Sequence, residues 1–156
     1  MMSGNSCTLG QLIDLAMEVE QKAYDFYAGL EEKFKNNEQF VSCVCGIKED
    51  ELLHYRILTE IQEALPDHRL TMPIPKEKVV PVQRVIKFLD TVDLDGMSDV
   101  DEVIDAIRTL EEVEFDVVMA FVDTEEIDFE LTREYLKNES LDHNNRIYLA
   151  QQCLLD

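Results

Sequence analysis

All four prolines of the 156-residue chain fall between positions 66 and 81, and only five glycines punctuate the whole of it. Proline lacks the backbone donor and clashes with the preceding turn, so confining it to one stretch leaves both flanks open to long helices. On each flank the apolar residues recur at intervals of three and four, the period of an amphipathic helix. Between about 9 and 34 the stripe runs Leu9, Leu12 or Ile13, Ala16, Glu20, Ala23, Tyr27, Leu30 and Phe34. Between about 37 and 65 it runs Phe40, Val44, Ile47, Glu51, His54, Leu58, Ile61 and Leu65. The expected class is all-α.

The proline-bearing stretch PDHRLTMPIPKEKVVP reads as a connector that cannot continue a helix. VQRVIKFLD adds at most a short helix, and DLDG, at 93–96, gives a turn before a helix start with Ser98 as N-cap and acids in its first turn. DLDG resembles the opening of a calcium loop, but the remaining ligand positions do not follow, so it is read as turn chemistry. A third stripe runs Val100, Val103 or Ile104, Ile107, Glu111, Glu114, Val118 and Phe121. After a break at VDTEE a fourth carries Phe129, Leu136, Ile147, Ala150 and Leu154, with Tyr135, Leu149 and Cys153 beside them. The expectation is one domain over 1–156. A helical hairpin over 9–65, a connector over 66–98 and a second hairpin over 99–155 would make an antiparallel four-helix bundle, with a long crossover between helices 2 and 3.

The formal charge of -20 argues against nucleic acid and anionic membranes as partners, since both attract cationic surface. For most of the acids solubility is sufficient reason. No apolar run is long enough to span a bilayer, and MMSGNSCTLG lacks the basic start and apolar core of a secretory signal, so a cytoplasmic protein is expected. Cys7, Cys43, Cys45 and Cys153 form no C-x-x-C pair, which fits free thiols. The two cysteines of CVC point to different sides of a helix, so Cys43 reads as core.

The informative acids are those a buried face should reject. Glu20, Glu51 with His54, and Glu111 with Glu114 fall where helical phase predicts core. An ionised carboxylate is costly there without a cation, and several together also repel one another. Basic partners, protonated carboxyls or metal ions could compensate. Arg146 is the best-placed base, and one guanidinium cannot neutralise the set, whereas two divalent ions would. Carboxylate and imidazole donors at i, i+3 suit iron or manganese, and a Glu-x-x-His on each of two helices with a Glu on each of the others is a known di-metal arrangement of helical bundles. On the fourth helix, NESLDHNNRI offers Glu139 with His143, the preferred pair, or Glu139 with Asp142; both spacings return to one face. The structural readings stand beside these: Glu20 at a helix rim, His54 a hydrogen-bonded core histidine, Glu114 at a bundle edge, His143 and His68 on the surface. Tyr27 reads as core, or as a phenol orienting Glu20.

EQKAYDFY (Glu20, Ala23, Tyr27) followed by EDELLHYRIL resembles the first half of the rubrerythrin branch of the ferritin-like superfamily, and LEEVEFDVV resembles its third helix. The resemblance covers helical segments throughout the chain. It implies a ferritin-like di-iron bundle with Glu20, Glu51 and His54 as ligands and Glu51 as a bridge. Glu111 would be a further bridge or terminal ligand, and Glu114 a ligand exchanging with His54 as iron changes oxidation state. The fourth helix departs from a clean Glu-x-x-His. The rubredoxin-like tail with its C-x-x-C pairs is missing, so electrons would come from an external donor protein or a small molecule. The implied function is reduction of peroxide or dioxygen at two iron ions, with manganese or another divalent metal as the alternative cofactor and a homodimer as the assembly. Iron capture and storage, or a metal-free helical interaction module, are the other classes the sequence leaves open.

Overall fold

The computed structural model describes residues 7–97 and 101–110, together with Asn145, Tyr148 and Gln152. It is mostly helical, as the all-α expectation has it. Two long helices come first, α1 (Leu9–Lys33) and α2 (Glu38–Ala64). A reciprocal capping box starts α1: the Gln11 N–H donates to Thr8 Oγ1 at 3.1 Å, and the Thr8 N–H donates to Gln11 Oε1 at 2.9 Å. Removing that hydroxyl in Thr8→Ala should cost about 1 kcal/mol, read in a thermal melt as a fall of roughly 2–4 °C; an unchanged midpoint would mean that the first turn is held by its neighbours instead.

The chain reverses through 34–37, where the Asn37 side chain accepts the Phe40 N–H at 3.0 Å and the rings of Phe34 and Phe40 meet edge to face at 5.0 Å. Pairings climb one helix as they descend the other: Glu31 with Lys48, Glu20 with His54, Asp14 with Gln62. The two helices are therefore antiparallel, with a fixed register.

A one-turn helix, α3 (Asp67–Leu70), follows, and Pro73–Ile74 (β2) pairs antiparallel with Cys7–Thr8 (β1), setting Cys7 opposite Ile74. The Leu9 N–H extends this contact by donating to the Met72 carbonyl at 2.9 Å. Gly10 lets the connector come this close, since a Cβ there would lie 3.2 Å from the Leu70 carbonyl oxygen.

The connector departs from expectation at α4 (Lys76–Thr91), which begins directly after Pro75 and continues through Pro81. Proline before a first turn sacrifices no intrahelical bond. Pro81 does, at a cost of about 3 kcal/mol in a helix interior. Val79, Val82 and Val85 are buried on the same helix, and at about 1.5 kcal/mol or more for each they outweigh it. Phe88 meets Phe26 of α1 with ring centroids 6.4 Å apart, and Lys22 pairs with Asp90 nearby. Met97 N–H donates to the Leu94 carbonyl, closing the DLDG turn.

The core lies along α1. Its predicted stripe is buried except at Glu20 and Phe34, which are half-buried, and Leu12, Val19 and Phe26 form a second line at seven-residue intervals. Residues 101–110 are helical, and Val103, Ala106, Ile107 and Leu110 join the same core. Ser98, Val100 and the stripe from Glu111 onward, including the fourth-helix positions, fall outside the described residues. Among the described residues no helix is long and apolar enough to cross a membrane.

Candidate metal centre

On α2 the buried positions Phe40, Val44, Ile47, Glu51, His54, Leu58 and Ile61 alternate steps of four and three, the seam of paired helices. The apolar residues above and below fix the helix phase, and that phase carries Glu51 and His54 inside. Glu51 is 0 % exposed and His54 6 %. Glu20 comes from the facing seam of α1, its side chain 12 % exposed, at the rim of the same layer.

The register set by the hairpin brings the three together. His54 Nδ1 lies 3.5 Å from Glu20 Oε2 and 4.0 Å from Glu51 Oε2. One donor atom from each residue falls within 4.8 Å of the other two, the one such group of metal-ligating side chains among the described residues. For bonds of about 2.0–2.2 Å to a tetrahedral ion, neighbouring donors sit roughly 3.4 Å apart. The shortest separation already matches, and rotation of a carboxylate closes the longer ones.

The donor chemistry also fits a cation. Taken by themselves, two carboxylates and one imidazole stay negative even with the imidazole protonated, whereas one divalent ion with neutral imidazole is balanced. The seam positions on either side of Glu20 are Ala16 and Ala23, both buried. Their single-carbon side chains leave the space at this level to the carboxylates and the ring.

The other sequence-stripe candidates divide plainly. Glu111, Glu114, Glu139, Asp142, His143 and Arg146 lie outside the described residues. Tyr27 is fully buried with its ring edge-on to Phe26 at 5.2 Å, while His68 is exposed on α3. Cys43 is half-buried against the core. Burial first, and then the carboxylates of Glu49 and Glu31, push the Cys45 thiol up, and burial does the same to Cys7. Neither is therefore a ready thiolate that would compete for a metal.

One pair near the centre had no signal in the stripes. Lys48, one turn before Glu51, forms a part-buried ion pair with Glu31 and lies 5.4 Å from the Tyr24 ring centroid. Its hydrogen bond to the Glu31 carboxylate holds the ammonium pKa above its ordinary range. Both residues flank the apolar seam, where a charged residue looks like any solvated one.

Fold and site thus define a class: a protein mostly helical over its described residues, whose first hairpin carries a mixed carboxylate and imidazole group that could hold a metal ion. Models of known families, curated proteins and solved structures give no match to this chain.

Proposed function

We propose that this chain is a rubrerythrin-like di-metal protein that reduces peroxide or dioxygen. The convergence of Glu20, Glu51 and His54 on one point of the α1–α2 hairpin carries that reading. The helical segment 101–110, which shares the core, would open the third helix of a ferritin-like four-helix bundle whose crossover contains α4. Glu111, Glu114 and Glu139 with His143 or Asp142 would complete the ligand set. Iron is the proposed metal, manganese its nearest substitute, and a reduced iron pair would supply the two electrons the oxidant takes up.

The chain's own residues have separate tasks. Fully buried Glu51 provides carboxylate oxygens shielded from water, His54 provides a neutral donor nitrogen, and Glu20, at the rim, is the ligand nearest to solvent. Ile47 and Leu58, one turn on either side along the α2 seam, keep the layer dry. A cytoplasmic homodimer supplied with electrons by another protein completes the proposal.

A second reading, the metal-free interaction module, is favoured by Leu52, Leu53 and Tyr55, each more than a third exposed on α2. Anaerobic loading with Fe(II), metal analysis, and the ultraviolet-visible spectrum on adding peroxide separate the two. About two irons per chain, oxidised rapidly to an oxo-bridged absorbance and lost in Glu51→Ala, are expected. Substoichiometric iron that ignores the substitution would leave the interaction module.

A further inference from the structure

We infer that the α1–α2 hairpin takes up one divalent ion on its own, before and independently of the second ion of the pair. The inference rests on the di-metal reading and adds an order of loading to it. All three donors, Glu20, Glu51 and His54, come from two consecutive helices joined by the short turn at 34–37. The contacts that fix their register are internal to the same hairpin. Lys48 with Glu31 brackets the centre on the side of the turn, and Gln62 with Asp14 brackets it on the other. Asn37 and the Phe34–Phe40 ring contact set the turn itself.

The three donor atoms, within 4.8 Å of one another, all lie on residues that precede Ala64. They number two carboxylates and one imidazole, a charge that one divalent ion balances and two would exceed. The second ion must therefore draw on further carboxylates, which the sequence offers at Glu111, Glu114 and Glu139. Its affinity should depend on those residues, and the first ion's should not. The hairpin acts as the high-affinity half, and occupancy of the pair is set by how readily the second position fills.

The test is an anaerobic titration of the full-length chain with Mn(II), followed by electron paramagnetic resonance, which distinguishes an isolated bound ion from a spin-coupled pair. In the wild type the first equivalent should give the isolated signal and the second the coupled one. A Glu111→Gln/Glu114→Gln double variant should keep the first Kd within about threefold and lose the second ion, whereas Glu20→Gln or His54→Gln should weaken the first by on the order of 100-fold. Circular dichroism on each variant separates lost ligands from lost fold. A coupled signal from the first substoichiometric addition, or loss of the first ion in the Glu111/Glu114 variant, would overturn the inference and leave the di-metal reading intact. One isolated ion at saturation in the wild type would remove the di-metal reading and the order of loading with it, leaving a single-ion site in the hairpin, and no binding at all would remove the site as well.

Discussion

Glu51→Leu is expected to raise the melting temperature of the metal-free protein while abolishing its stabilisation by metal. Glu51 is wholly buried and shares its layer with a second carboxylate, Glu20. Two carboxylates in one layer repel each other in a medium that screens them poorly. Replacing a buried ion pair by apolar side chains of similar volume is often neutral or stabilising, by about 1–4 kcal/mol. Glu51→Leu should fall in that range, because it relieves the repulsion with Glu20 at the cost of a His54 contact as long as 4.0 Å. For a chain of this length that is a rise of roughly 2–16 °C. With an ion present the order should reverse. A metal at a hundred times its Kd stabilises the wild type by about 2.7 kcal/mol, and the variant, short of a ligand, should gain almost none of it. Melts with chelator and with Mn(II) give all four values. A variant less stable than the wild type under both conditions would show that Glu51 acts as a structural partner within the hairpin and not as a ligand held at the expense of stability.

The polar residues on the buried faces could be read from sequence, while the register that brings three of them together could not. On α2 every predicted seam position is buried, because this helix has one packed face and its steps of four and three are uninterrupted from Phe40 to Ile61. Polar residues in such a run are conspicuous. On α1 the same reading misses Val19 and Phe26, since a helix that meets both α2 and α4 needs a wider apolar face than one stripe describes. That Glu20 faces His54 depends on register, which comes from Lys48–Glu31 and Gln62–Asp14, pairs with no periodic signature. The VQRVIKFLD part of α4 is legible as a short helix, whereas its first turns are hidden by Pro81, a breaker that the three valines buried around it outweigh. The β1–β2 pair, two residues on each side, is too short for any alternation to show. The capping box was written in the sequence as Thr8 and Gln11, three residues apart ahead of an apolar run.

Phe40→Ala should do the opposite of Glu51→Leu, lowering stability severely and leaving the metal centre intact. Phe40 is fully buried at the start of α2, where its ring packs edge to face on Phe34 across the turn. Truncating a buried phenylalanine costs about 3–5 kcal/mol, part of it lost transfer energy and part the cavity left behind. At roughly 2–4 °C per kcal/mol the melting temperature should fall by roughly 6–20 °C, and Phe40→Leu, which keeps most of the volume, should recover most of that loss. Eleven residues of helix separate Phe40 from Glu51, about 16 Å along the axis. At that distance the two substitutions should combine additively to within about 0.5 kcal/mol. Below its melting temperature the alanine variant should bind the first Mn(II) with the wild-type Kd, and the ion should raise its midpoint by the wild-type increment. If instead the first Kd weakens tenfold or more in a variant that circular dichroism shows to be helical, the donor geometry depends on packing at the turn as well as on Lys48–Glu31 and Gln62–Asp14. The hairpin would then hold its ion only as tightly as its most distant core residue allows.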